Sequence, residues 1–138
     1  MLLNPTDGEL DELARIMRAE ALSDGDEGML MVGNVVANRV LADCLTFKNV
    51  NSIHEVIYQP NQFSGTNNSL FYAKSTAREK ELARRITNGE YFYPASNALW
   101  FYASKNNCKS TFYNQKLVGR FKSHCFYNPD FTKCTKIH

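Results

Sequence analysis

Met29-Leu30-Met31-Val32-Gly33-Asn34-Val35-Val36-Ala37-Asn38-Arg39-Val40-Leu41 is the stretch that decides the fold. Wound at about 100° per residue it is apolar almost all round, so it reads as a helix from about Asp26 to Leu41 buried at the centre of a core. Gly33 costs such a helix about 1 kcal/mol against Ala, and a close approach by another segment is the reason to expect it there. Asn34 and Asn38 lie four apart on one face, with Arg39 following. Buried amides need partners, so their expected role is to organise a neighbouring loop, with direct ligand contact as the alternative.

Working outward toward the N-terminus, Thr6 and Glu9 form a capping box that opens an earlier helix, and Asp24 with Glu27 repeats the arrangement for the central one, with Gly25 and Gly28 in the turn. In the earlier helix Leu10, Leu13, Ala14, Met17 and Ala21 make one apolar stripe. Glu20 projects from the edge of that stripe, whereas Glu12 points the opposite way. An anion at an apolar margin near the negative end of a helix dipole is poorly solvated and badly placed, and both effects favour its protonated form. Glu20 is therefore a candidate acid, with a solvated glutamate paired to Arg15 or Arg18 as the plain alternative.

Toward the C-terminus, Thr46 to Asn51 reads as a loop, and Ser52 with Glu55 caps a short helix from Ile53 to Ile57. Tyr58-Gln59-Pro60-Asn61-Gln62-Phe63-Ser64-Gly65-Thr66-Asn67-Asn68 is an irregular polar loop with aromatic side chains that can hold a ligand. A further helix is expected from Thr76 to Asn88, with Ala77, Leu82, Ala83 and Ile86 facing inward, Arg84 and Arg85 solvated, and Gly89 as its stop. After Tyr91 short aromatic runs alternate with turns: Ala98-Leu99-Trp100-Phe101-Tyr102, Thr111-Phe112-Tyr113 and His124-Cys125-Phe126-Tyr127. These favour short strands. Trp100, Tyr102, Phe126 and Tyr127 read singly as core or rim and together allow a sugar-binding wall. The result is an α+β arrangement in which helices supply the core, within one domain spanning 1–138.

The 138 residues carry a net charge of +2 with 43% hydrophobic residues. Basic and acidic side chains are interspersed, so nothing demands nucleic acid. Seven Tyr, nine Phe and one Trp suit a polysaccharide groove equally well. No stretch has the length of a membrane span, and Met1-Leu2-Leu3-Asn4-Pro5-Thr6-Asp7 lacks the regions of a secretory signal. Cys44, Cys108, Cys125 and Cys134 have no metal-type spacing. They admit two disulfides in three pairings or four buried thiols; the missing export signal favours thiols, but the sequence does not choose. His124 and Cys125 are adjacent on a strand and face opposite ways, which disfavours a cysteine nucleophile.

Several of these segments together resemble the SleB/CwlJ-type cell-wall hydrolases. They are Arg18-Ala19-Glu20-Ala21, the run Val32 to Val40, Val56-Ile57-Tyr58-Gln59-Pro60 with Phe63-Ser64, Ala83-Arg84-Arg85 with Asn88-Gly89-Glu90, Leu99-Trp100, Tyr113-Asn114-Gln115, and Arg120 to Tyr127. The resemblance spans nearly the whole chain, and its later motifs are most similar to the family's short, CwlJ-type branch, which lacks the export signal and separate peptidoglycan-binding domain of the other branch. It implies a lysozyme-like fold, related to lytic transglycosylases. It also implies cleavage of spore-cortex peptidoglycan containing muramic-δ-lactam during germination, at the boundary of coat and cortex. By the same resemblance Glu20 is the catalytic acid; Tyr58, Gln62, Phe63, Ser64, Tyr102, His124 and Phe126 are candidates to hold sugar; and Asn34, Asn38 and Arg39 support the site. His124 has a structural histidine as its equal alternative. No metal or other cofactor is required, although the branch responds to calcium dipicolinate and so makes calcium a candidate ligand; there is no EF-hand-like loop. A spore-coat protein is a candidate partner, a monomer is expected, and neither nucleic acid nor a membrane span is.

Ordinary glycosidases place a second carboxylate across the bond. None stands out here: Glu27 and Glu55 read as helix caps and Asp43 as a helix-end residue. A single acid that later serves as base points to lytic transglycosylation ending in a 1,6-anhydromuramoyl product. A hydrolytic muramidase and a non-catalytic glycan-binding or coat-assembly protein are the alternatives.

Overall fold

The computed structural model describes residues 3–60 and 62–137, so Met1, Leu2 and Asn61 lie outside the described residues, as does His138. Helix α1 (Asp7–Ala21) starts at the expected capping box, in which Thr6 accepts from the Glu9 backbone and Glu9 answers the Thr6 N–H. A tight 3-10 turn (Leu22–Asp24) leads into α2 (Gly25–Ala42). Helices α3 (Ile53–Ile57), α4 (Ser69–Tyr72) and α5 (Ala77–Thr87) follow. Ser52 caps α3, a Thr76–Glu79 capping box opens α5, and Gly89, at φ 93°, ends it.

Helix α2 is buried along nearly its whole length, polar residues included, as its composition requires. It packs with α1 and α5 around Leu13, Ile16, Met17, Val32, Val36, Ala83 and Ile86. Each fully buried aliphatic side chain of this kind contributes roughly 1.5–3 kcal/mol. The close approach expected at Gly33 is present: a Cβ there would stand 2.7 Å from Ile86 Cγ1 and 3.0 Å from Met17 Sδ.

The C-terminal aromatic runs form one antiparallel sheet ordered β1-β4-β3-β2, from β1 (Trp100–Ala103), β2 (Thr111–Phe112), β3 (Gln115–Phe121) and β4 (His124–Asn128). Register pairs Phe101 with Phe126 and Ala103 with His124, which puts the start of β4 beside the end of β1. Met31 and Val35 of α2 meet Ala95, Ala98 and Phe126 and so join helices to sheet. The α+β, lysozyme-like class holds, with the helices supplying the core and one short-stranded sheet packed beside them.

Two local expectations are corrected, and the cysteine state that the sequence leaves open is settled. Asp24 stands at the cap position of α2 but makes no side-chain cap bond, because its carboxylate is engaged elsewhere. Ala77 is exposed, since the apolar stripe of α5 begins a turn later at Leu82. The cysteines are paired, Cys44 with Cys134 and Cys108 with Cys125, their Cα atoms 5.4 and 5.8 Å apart and within bridging reach. Among the described residues no helix is long and apolar enough to cross a membrane.

Gly33→Ala tests the packing against intrinsic preference. Helix propensity alone favours alanine by about 1 kcal/mol, whereas overpacking against Ile86 and Met17 costs roughly 1–3 kcal/mol. The expected outcome in urea unfolding is a lower midpoint.

Candidate active site

Glu20 lies in the last turn of α1, where the helix runs into the Leu22–Asp24 turn. Its expected alternative partners are taken. Arg15 binds Asp11 at 2.9 Å, and Arg18 binds Glu79 at 2.7 Å as well as the carbonyls of Leu70, Ala73 and Lys74. Glu20 Oε1 instead accepts the Gly65 N–H at 2.8 Å. Only glycine allows that approach, since a Cβ on residue 65 would sit 2.7 Å from the same oxygen. Burial raises the Glu20 pKa above its ordinary value, and this outweighs the Gly65 hydrogen bond and the attraction of His124 and Arg39. The shift is in the direction an acid catalyst requires, with burial as its main cause.

Opposite Glu20 the sheet contributes His124, only 3% exposed. Its Nδ1–H donates to Asp24 Oδ2 at 2.5 Å. Ser123 Oγ donates to both Asp24 oxygens, at 2.9 and 2.7 Å, and Lys122 Nζ donates to the Asp24 carbonyl. These bonds to Ser123 and His124 hold the Asp24 carboxyl below the usual range although burial pushes the other way. Asp24 is thus an anion that fixes the imidazole tautomer and leaves Nε2 for the cleft. Sequence reasoning missed it by reading a cap. The available signal was the glycine pair around it: at Gly28 a Cβ would come within 2.4 Å of Asp24 Cβ, so the missing side chain is what lets Asp24 tuck inward.

The cleft between these groups has a volume of about 320 Å³ and is lined by Glu20, Gln62, Ser64, Phe101, Tyr102, Ala103 and His124. Four of the sugar-holding candidates, Gln62, Ser64, Tyr102 and His124, therefore meet Glu20 in one place. Tyr58 does not: it is exposed over an adjoining depression of about 370 Å³ that shares Ser64 with the cleft. Phe63 also faces that depression but is buried, its ring packed on Phe101 and on the Arg39 guanidinium. Phe126 is corrected, because at 0% exposure it sits behind Phe101 and His124 as core and has no surface to offer a sugar.

The three supporting residues hold backbone. Asn34 donates to the Glu90 carbonyl and accepts from Phe92 N–H, each at 2.8 Å. Asn38 Nδ2 reaches the carbonyls of Ala95, Ser96 and Ala98, and Arg39 Nε reaches that of Leu99 at 2.8 Å. Arg39 is only 3% exposed and lies between the rings of Phe47 and Phe63. Burial pushes its pKa down while Glu20 and Tyr113 oppose the change. A roomier depression, about 520 Å³ beside Lys116, Leu117 and Phe131, has Asp130 as the one carboxylate in its lining, and the Thr132 hydrogen bonds keep that carboxyl below its usual range. Among the described residues no three His, Cys, Asp or Glu side chains are grouped to hold a metal.

The profile of the cell wall hydrolase family matches residues 23–127. The chain is 42% identical to the cell wall hydrolase CwlJ of Bacillus subtilis (strain 168), over 99% of this chain and 96% of that one. It is 47% identical to the CwlJ of Oceanobacillus iheyensis, over 95% and 94%. The backbone is similar to the catalytic domain of the Bacillus cereus SleB protein, with a TM-score of 0.72 and 19% identity over 91% of this chain and 93% of that domain. It is similar to the same degree, TM-score 0.72 and 19% identity, to the catalytic domain of the germination-specific lytic transglycosylase SleB from Bacillus anthracis, over 93% and 100%.

Two outcomes follow from the geometry. A carboxyl with a raised folded pKa gives stability that is present at low pH and lost as pH climbs through that pKa. Glu20→Gln mimics the protonated form throughout, so its melting temperature should exceed wild type by an increment that is smallest in acid and grows toward neutral pH. Asp24→Ala strands His124 and Ser123 and should cost roughly 3 kcal/mol, against about 1 kcal/mol for Ser123→Ala, both by denaturant titration.

Proposed function

Because this chain belongs to the cell wall hydrolase family, we propose that it cleaves the glycan strands of spore-cortex peptidoglycan during germination, by lytic transglycosylation at muramic-δ-lactam-containing cortex. The observation that carries this reading is that Glu20 is the one carboxylate among the residues lining the cleft, while both Asp24 oxygens are committed to Ser123 and His124. A single proton-holding acid favours a route that returns the proton to the same group.

In that route the Glu20 carboxyl donates its proton to the glycosidic oxygen as the bond to the anomeric carbon breaks. The resulting carboxylate takes the proton of the muramoyl 6-hydroxyl while that oxygen bonds to the anomeric carbon. A 1,6-anhydro end forms, Glu20 is protonated again, and no water is consumed. Gly65 N–H is placed to stabilise the carboxylate between the two half-steps. Gln62, Ser64, Tyr102 and His124 orient hydroxyl and acetamido groups.

One observation favours a second reading. His124, held by Asp24, offers Nε2 as a proton acceptor in the same cleft; if it activates water, the enzyme is a hydrolytic muramidase. All groups needed by either route come from one domain in one chain, in keeping with a monomer. By the same proposal the protein works at the boundary of coat and cortex, with a coat protein as its anchoring partner. No step is routed through calcium: the only carboxylate lining the cleft is the general acid, and the other nearby one is engaged.

Mass spectrometry of muropeptides released from cortex sacculi tests the reading. The expected product carries the anhydro mass, and Glu20→Gln abolishes release while the fold is preserved. Hydrated reducing ends favour the muramidase, and binding without release by the wild-type protein favours a glycan-binding role.

A further inference from the structure

Two bulky side chains of this chain occupy backbone positions that their residue types avoid, and both border the same depression. Strands β2 and β3 are joined by Tyr113-Asn114 alone, with Phe112 paired to Gln115. Both turn residues have positive φ, 51° and 62°, the signature of the tight hairpin turn that calls for Asn, Asp or Gly. Asn114 suits its position. Tyr113 does not, yet it stands there with 65% of its surface exposed. Leu45 has φ 53°, a conformation still less suited to a large aliphatic residue, and it is 43% exposed. Strain of this kind persists where the surrounding structure enforces it and clusters at ligand sites.

The two residues wall a depression of about 240 Å³ completed by Thr46, Gln62, Trp100 and Gln115. Trp100 forms an aromatic floor packed against Phe47. Thr46 is tied to the Tyr58–Asn68 loop by the Gln59 amide, which donates to its carbonyl at 2.7 Å. Gln62 also lines the Glu20 cleft, so the two spaces are neighbours that share this side chain. An apolar rim with an exposed aromatic ring and two flanking primary amides matches one face and the equatorial polar groups of a pyranose.

We infer that Tyr113 and Leu45, over Trp100, form a sugar subsite that takes an N-acetylhexosamine ring of the same glycan strand bound at Glu20. This rests on the glycan-cleavage reading above and adds where the strand runs: from the Tyr58 depression, across Glu20, to Tyr113. The Tyr113 ring stacks on the C–H face of the sugar, and the Gln62 and Gln115 amides bond its polar substituents. The turn conformation is what aims the ring into the groove.

The test uses the Glu20→Gln protein, which retains substrate, and peptide-free cortex glycan oligomers in a ladder of lengths, with affinity measured by calorimetry. Adding Tyr113→Asn supplies the residue the turn prefers, so the melting temperature should hold or rise. Affinity for the long oligomers should nevertheless fall about three- to tenfold, the range of one aromatic contact, with a smaller change for the shortest, and Tyr113→Phe should restore it. Unchanged affinity at every length overturns the subsite. So does a loss that Tyr113→Phe shares, or one that comes with a lowered melting temperature. Failure of the cleavage reading looks different: wild-type protein then releases no product from sacculi, while the length-dependent loss in the Glu20→Gln background still appears.

Discussion

A polar group taken out of water must find a partner, and this constraint on one helix sets where the rest of the molecule sits. Helix α2 is buried almost throughout and is preceded by Asp24 and studded with Asn34, Asn38 and Arg39. Each of the three helix residues reaches across to backbone in the 90–99 segment that feeds β1. Asp24 reaches the β3–β4 hairpin through Ser123 and His124. Helices and sheet are thereby locked at both ends of α2. The cleft is the space left between them.

That arrangement separates the behaviour of two carboxylates a few residues apart in sequence. Glu20 has burial with a single hydrogen bond and is shifted toward its protonated form; Asp24 has burial with several charge-assisted bonds and is shifted toward its anion. Environments that push neighbouring acids in opposite directions assign their roles. In the proposed mechanism Glu20 carries a proton to the substrate, while Asp24 holds a histidine. The Gly65 N–H, His124 and, least of the three, the buried Arg39 each favour the Glu20 carboxylate and so oppose the effect of burial.

Much of this was legible from residue order. The all-round apolar run predicts a buried α2, the capping signals at Thr6 and Ser52 place two helix starts, and the stripe of α1 places Glu20 at an apolar margin. Motif resemblance brings Gln62, Ser64, Tyr102 and His124 to that margin, and the structure gathers them there. What escaped are features settled by tertiary contact. Asp24 obeys the local grammar of a cap yet spends its carboxylate on a strand about a hundred residues away. Phe126 shares the face of β4 with His124 two residues before it, but Met31 and Val35 of α2 together with Ala95 and Ala98 cover it and make it core. The cysteine pairings depend on where β4 and the C-terminal segment pass, which spacing does not encode. Tyr113 shows its significance only through a backbone angle.

The central claim is that the end of α1, the Gly65 turn and the Asp24-held histidine together place a proton donor against a glycosidic oxygen. A crystal structure of the Glu20→Gln protein with a cortex glycan oligomer tests it most directly. The account predicts a glycosidic oxygen within hydrogen-bonding distance of the substituted side chain, with the strand passing between it and His124. Sugar bound only elsewhere, such as in the larger depression beside Lys116 and Phe131, would contradict it.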